Sequence, residues 1–302
     1  MSSFRRANLH LRARVIQSVR EFFVSRGFLE VETPHRIPAN APEEHIEPCP
    51  AGSGYLHTSP ELCMKRLLCR GYGKIFQICR CWRDNERGRR HVSEFTMLEW
   101  YRADSDYFDL MRDCQELLEQ VVRAACGGTT LSYQGEEIDF GSGVRRITVR
   151  EAFERFGGAT VEAALRDGTF DEIMVTAIEP ALPQHVPAIL MDYPAEMAAL
   201  ARLKPGDPTV GERFELYAGG LELANGFSEL NDPHEQRARF QEANERRSRA
   251  GLPPLPLPEP FLTDLGTMPP AAGIALGIDR LVMLCANAER IDDVVAFTPE
   301  EL

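Results

Sequence analysis

Apolar positions along the chain follow two periods. Between residues 8 and 26, Leu11, Val15, Val19 and Phe22 recur on one helical stripe, widened by Ile16 and Phe23, and Gly27 ends the predicted helix. Residues 27–34 then read as a short strand stopped by Pro34, and the Pro- and Gly-containing stretch 35–57 reads as loop. Thr58-Ser59-Pro60-Glu61 opens a second helix, with Ser59 as N-cap and Pro60 at the first helical position. Over residues 76–101 the period drops to two. Gln77, Cys79, Cys81 and Arg83 share a face opposite Phe76, Ile78 and Trp82, while Phe95, Met97, Glu99 and Tyr101 share one opposite Thr96, Leu98 and Trp100. Paired across the intervening loop, these strands collect an arginine, an aromatic ring, a carboxylate and a phenol on one surface.

Residues 104–126 return to helical spacing and stop at Gly127-Gly128. A hairpin around 133–140, helices at 149–156 (capped by Thr148 with Glu151) and 170–179, and a strand at 188–194 follow. The stretch 127–190 carries no chemistry and reads as a peripheral insertion or subdomain. Residues 213–223 form a tight hairpin whose turn, placed at Ala218-Gly219, sets Glu215 opposite Glu222. Like charges in that register are destabilising. Mg²⁺, which takes one or two carboxylates together with phosphate oxygens, relieves the conflict; two exposed glutamates in another register is the alternative. Asn225, Phe227 and Glu229 share the next strand face, and a bulge near Asn225-Gly226 is needed to bring Glu222 to the same ligand. Asp232-Pro233 caps a helix running to Gly251, residues 253–260 form a stiff connector, and Gly273–Leu284 is a small-residue strand entering an apolar helix. There Gly277 permits close backbone approach and Arg280 stands at the junction.

Composition narrows the choices. A chain of 302 residues buries a large core, and it contains no run of about 18 apolar residues and no signal-peptide core near Met1, so the expectation is a cytoplasmic protein with no membrane role. A net charge of −12 argues against broad nucleic-acid binding. The eight cysteines lack paired C-x-x-C sets and read as buried and reduced rather than zinc-binding; Cys79-x-Cys81 as a redox pair is the second reading. Glu61 suits the helix dipole and also suits a substrate ammonium, whereas Lys65 and Arg66 read as surface residues. Arg87, Arg89, Arg90 and His91 between the paired strands suit a polyphosphate, or else a solvated loop tip.

Together these stretches resemble the catalytic domain of class II aminoacyl-tRNA synthetases, in the lysyl branch. Gly27–Pro34 resembles motif 1, the dimer element; Arg80–Tyr101 resembles motif 2, and Gly273–Arg280 motif 3. The strings F-T-M-L-E-W-Y and A-N-G-F-S-E-L-N-D are of lysyl type. The resemblance implies an α+β fold, an antiparallel sheet flanked by helices, as a single catalytic domain over residues 1–302. It further implies that Arg83 contacts the ATP α-phosphate, and His91 and Arg280 the γ-phosphate. Phe95 would stack on adenine, sandwiched by Arg280, with Gly277 beside the nucleotide, and Glu215 and Glu222 would hold Mg²⁺. Ser59, Glu61, Glu99, Tyr101, Asn225, Phe227, Glu229 and Ala275 would form the lysine pocket. Burying two ammonium groups requires opposing carboxylates, which Glu61, Glu99 and Glu229 supply.

No stretch remains for an anticodon-binding domain, and that truncated form resembles the elongation factor P–lysine ligases. In that family lysine, preferably (R)-β-lysine, is adenylated and transferred to a lysine side chain of elongation factor P. Ala275 supports this, because similar lysyl-tRNA synthetases carry glycine there; one methyl shifts preference by about 1–3 kcal/mol. The resemblance implies a homodimer, a functional link to a lysine 2,3-aminomutase, and no tRNA substrate. Charging of tRNA and an inactive regulatory paralog are the alternatives, the latter opposed by the retention of Arg83, Arg280 and the glutamate pair. The loop arginines suit docking of an acidic acceptor protein or phosphate steering. One position departs: the family's motif 2 reads Phe-Arg-x-Glu, but here Trp82-Arg83-Asp84-Asn85 precedes Glu86, to which the adenine-linked role passes if the loop path differs.

Overall fold

The computed structural model describes residues 3–198 and 200–302. Helix α1 (Ser3–Ser25) buries Val15, Val19, Phe22 and Phe23 on the predicted stripe, and Gly27, at φ +76°, turns the chain into β1 (Leu29–Glu30). The stretch expected to be loop holds a small antiparallel sheet instead, formed by β2 (Arg36–Ile37), β3 (Pro50–Ala51) and β4 (Gly54–Leu56). Strands of two or three residues leave no periodicity to read. Their pairing depends on Gly54, where a Cβ would lie 2.5 Å from the Ile37 carbonyl oxygen.

Helix α2 (Glu61–Leu68) is followed by β5 (Lys74–Trp82), β6 (Glu94–Ala103) and α3 (Tyr107–Cys126), the last held by an Asp106–Asp109 capping box and ended by Gly127 at φ +84°. The hairpin β7 (Thr130–Tyr133) and β8 (Glu136–Asp139) leads to β9 (Arg145–Thr148). Short helices α4 (Val149–Ala152), α5 (Val161–Asp167), α6 (Phe170–Ile173) and α7 (Glu179–Ala181) come next, two of them continued by π turns at Phe153–Gly157 and Met174–Ile178. Strands β10 (Ala188–Pro194), β11 (Leu203–Lys204), β12 (Asp207–Ala218) and β13 (Leu221–Ser228) precede α8 (Pro233–Arg249), α9 (Glu259–Leu265), β14 (Ala271–Gly277) and α10 (Ile278–Cys285). Helix α9 starts inside the predicted connector.

The main sheet runs β1-β5-β6-β14-β13-β12-β10-β9, with β11 on β12. It is antiparallel from β5 to β10 and parallel at both edges. Helices α1, α3 and α10 cover one face, packing on Phe76, Leu98, Trp100, Ile274 and Leu276. Period-two alternation sends Glu99, Tyr101, Ala275, Asn225 and Phe227 to the other face. Within residues 127–190, Tyr133 and Ile138 join the central core, whereas residues 149–182 build a separate apolar cluster on Leu190, Tyr193 and Tyr217.

Candidate active site

Strand register assembles the site. Glu99 on β6 pairs with Ala275 on β14, Ala275 with Asn225 on β13, and Asn225 with Glu215 on β12. One step along, Tyr101, Gly273 and Phe227 form a parallel row. These rows floor a cavity of about 410 Å³ that also receives Ser59, Glu61, Arg83, Glu86, His91, Phe95, Glu222, Gly277 and Arg280. Gly273 is sterically required: a Cβ there would lie 2.2 Å from Tyr101 Cε1 and 2.3 Å from Glu229 Oε1. Gly277 is not, since a Cβ there would meet only the Arg280 stem at ordinary distance.

One end of the cavity is acidic. The Ser59 hydroxyl accepts the Glu61 N–H at 3.0 Å and donates to Glu99 at 2.5 Å, so it caps α2 from one residue further back than predicted, with Pro60 at the cap position. The Tyr101 hydroxyl donates to the other Glu99 oxygen at 2.8 Å. Burial, and then the nearby Glu61 charge, hold the Glu99 pKa well above the usual carboxylate range. Lys65, expected at the surface, is completely buried and reaches Glu229 at 2.5 Å and Glu61 at 2.6 Å. Burial alone favours its neutral amine, but Glu229 and Glu61 outweigh that and raise its pKa. Burial also pushes the Glu229 carboxyl up to about 8 against the pull of Lys65.

The other end is basic. Arg83 stacks 5.1 Å from the Phe95 ring centre and lies 3.8 Å from Glu86. Asn85 sits at φ +62°, a left-handed step that turns the loop and leaves Glu86, not Asn85, on the cavity wall. Arg280 reaches His91 Nε2 at 2.6 Å and Glu222 at 3.2 Å. Desolvation and then the Arg280 charge lower the His91 pKa, which keeps that nitrogen an acceptor. The buried Asp279 fixes the start of α10 by accepting from Arg12 at 2.5 Å and from the Thr96 N–H at 2.6 Å. The loop arginines are already engaged: Arg87 pairs with Asp292 and Glu300, Arg89 with Glu289, and Arg90 donates to the Gly220 carbonyl. They tie the loop to the C-terminal segment and to the β12–β13 turn, so they do not form a free docking patch.

The glutamate hairpin differs in register from the prediction. Its turn is Gly219-Gly220, with φ +57° and +70°, and Tyr217 pairs with Glu222 while Glu215 pairs with Asn225. The extra residue is Leu223, so the bulge falls there and not at Asn225-Gly226. Glu215 still lies close enough to Glu222 for the two charges to repel. Glu215 accepts from Arg213, Tyr193 and Tyr217, each at 2.6 Å, using three of about four lone-pair positions. Glu222 faces the cavity, and burial followed by the Glu215 charge raises its pKa. Arg280 and Arg213 offset only part of that repulsion, and the remainder fits a divalent cation held mainly by Glu222, with Glu215 supplying at most one further position.

Three contributors escaped sequence reasoning. Glu43 lines the cavity from the β2–β3 loop. Arg213 lines it as well, donating to Asn225 at 3.2 Å and to the Met197 carbonyl at 2.6 Å. Arg247, fully buried on α8, donates to the Glu43 and Ile46 carbonyls, both at 3.0 Å, and pairs with Glu47 at 2.7 Å. Below the floor, Cys79, Cys81 and His57 cluster with Sγ–Sγ and Sγ–Nε2 distances of 4.0 Å, but His57 Nε2 is already bonded to the Arg80 carbonyl at 2.7 Å.

Comparison with known proteins follows the same lines. The class II tRNA synthetase family (D, K and N) matches residues 1–301. The elongation factor P–(R)-β-lysine ligase of Erwinia tasmaniensis is 44% identical, over 97% of this chain and 95% of its own. Its namesakes in Pectobacterium carotovorum and Vibrio atlanticus are 43% and 40% identical, over 97% and 96% of this chain and 95% and 94% of theirs.

Proposed function

The chain belongs to the class II (D, K and N) tRNA synthetase family, and from that premise we propose that it is an ATP-dependent ligase acting on elongation factor P. It adenylates lysine or (R)-β-lysine and transfers the aminoacyl group to a lysine side chain of that factor, releasing pyrophosphate and AMP. The observation that carries this reading is the sorting of charge along one cavity. Glu61 and Glu99 line one end, with Glu229 fully buried against Lys65, and Arg83, His91 and Arg280 line the other. Lys65 takes up one of the three carboxyl groups, leaving two that can ionise against the two ammonium groups of a diamino acid. The curated ligases, alike over nearly their whole length, support the acceptor.

In the first step the amino-acid carboxylate, anchored through its ammonium groups, attacks the α-phosphorus in line. Arg83 spreads the charge that develops on the α-phosphate, while His91 and Arg280 hold the departing pyrophosphate. Phe95 offers its face to the adenine. Mg²⁺ bound at Glu222, with support from Glu215, would neutralise phosphate charge. The acceptor amine then displaces AMP to form an amide.

Exposed Val24 and Leu29 beside the sheet edge support a homodimer through this element. No helix among the described residues is long and apolar enough to cross a membrane, and we place the enzyme in the cytoplasm with its acceptor. A preference for (R)-β-lysine demands a supplier that moves the amino group from C2 to C3, a lysine 2,3-aminomutase. The net charge of −12 disfavours tRNA as acceptor. The test is pyrophosphate exchange dependent on lysine or (R)-β-lysine, followed by labelled transfer to elongation factor P and to tRNA. Absence of exchange with both amino acids refutes the enzyme reading, and label on tRNA alone refutes the acceptor.

A further inference from the structure

The transfer step needs a proton acceptor. A lysine amine has a pKa of about 10.4 in water, so it arrives as an ammonium and must lose a proton before nitrogen attacks. Glu43 is placed for this. It shares the cavity wall with Glu61, Arg83, Glu86 and Arg213, and the charges acting on it most strongly are Arg83 and then Glu61. It thus shares one cavity with residues of both the nucleotide end and the amino-acid end, between which the proposed reaction forms its acyl–phosphate bond. Its loop is pinned from beneath by Arg247, and the Asp84 N–H donates to the Glu47 carbonyl at 2.7 Å. The Glu43 carboxylate itself makes no hydrogen bond or ion pair with any described residue.

On the functional reading above, we propose that Glu43 is the general base of the transfer step. Burial, opposed by Arg83 and Arg213 and reinforced by Glu61 and Glu86, brings its pKa to about 7, where a carboxylate is half ionised and basic enough to take a proton at neutral pH. The acceptor ammonium gives one proton to Glu43. The freed lone pair forms the C–N bond, and the acyl C–O bond breaks with its electron pair leaving on AMP. The second surplus proton on nitrogen departs with the AMP phosphate, and Glu43 returns its own to water.

Glu43→Gln and Glu43→Asp are compared with the unmodified enzyme in three assays: pyrophosphate exchange, capture of the adenylate by hydroxylamine, and transfer to elongation factor P. Hydroxylamine is largely unprotonated at neutral pH and needs no base. In Glu43→Gln, transfer should fall about 100-fold or more relative to exchange and hydroxamate formation by the same variant; Glu43→Asp should recover part of that ratio, and the limb of the transfer pH profile near 7 should vanish in Gln. Transfer that falls no further than hydroxamate formation overturns the proposal. A raised KM for the amino acid, with transfer per adenylate unchanged, makes Glu43 a substrate ligand and overturns it too. An unmodified enzyme that exchanges pyrophosphate but leaves elongation factor P unlabelled overturns the functional reading and the base with it.

Discussion

Two glycines on β14 separate what the protein's own packing demands from what a bound nucleotide demands. In Gly273→Ala the new Cβ lands 2.2 Å from Tyr101 Cε1, 2.4 Å from Cδ1 and 2.3 Å from Glu229 Oε1. Carbon–carbon contacts want about 3.5–4.0 Å, so the Tyr101 ring has to retreat by about 1 Å or more. Overpacking of this kind costs about 1–3 kcal/mol, a fall in Tm of about 2–10 °C for a chain of this size. The displaced ring also gives up the Tyr101–Glu99 hydrogen bond, 2.8 Å long and made to a carboxylate, which is worth about 1.5–3 kcal/mol. Converted at about 1.4 kcal/mol per decade, the KM for lysine in pyrophosphate exchange should rise about 10- to 100-fold, with the KM for ATP little changed. Gly277→Ala should behave oppositely. Its Cβ meets only the Arg280 stem at 3.8–3.9 Å, so Tm stays put and any effect falls on ATP. A Gly273→Ala enzyme with normal Tm and normal KM for lysine would refute this account of the pocket floor.

Three other perturbations probe the charges. Glu222→Gln should lower exchange by about 100-fold or more, the scale of losing one preorganised electrostatic contact, with the fold intact. In the unmodified enzyme the Mg²⁺ requirement should ease as pH rises through the elevated Glu222 pKa, because only the anion binds a cation; retained exchange in the variant refutes the assignment. Lys65→Met strands Glu229 and Glu61 without a counter-charge and should cost about 3–5 kcal/mol in denaturant unfolding, whereas an effect typical of a surface lysine contradicts its burial. His91 should titrate by NMR below the usual value of about 6.5, and Arg280→Gln should move its midpoint up. Because that pKa is lower folded than unfolded, the His91 contribution to stability is present at neutral pH and lost as pH falls through the two values; an unmoved midpoint rules out the Arg280 contact.

Much of this site was legible because its residues fit poorly anywhere else. Glu99, Tyr101, Asn225, Phe227 and Glu229 sit at strand spacing in stretches too apolar on the opposite face to be surface, and a strand of that kind must line something. What was not legible turns on local geometry that strand parity cannot express. The two left-handed glycines Gly219 and Gly220 set the hairpin turn one residue later than Ala218-Gly219, and a single extra residue at Leu223 then returns Glu222 to the face of Asn225. Glu43 and its anchor Arg247 are about 200 residues apart in sequence and belong to a loop and to a helix rich in surface charge, so neither carried a periodic signature.

Lys65 is the instructive case. Treating it as a surface residue follows the rule that charge avoids burial, and that rule holds for an isolated charge. Yet the family resemblance already implied three carboxylates around one pocket, and three buried anions without a cation are far costlier than three with one. A counter-cation was therefore owed before any substrate arrived. Lys65, one helical turn from Glu61, is the lysine that spacing could have nominated. Counting it changes the chemistry as well as the fold, since Lys65 takes up one of the three carboxyl groups and leaves two for the ammonium groups of the proposed diamino-acid substrate.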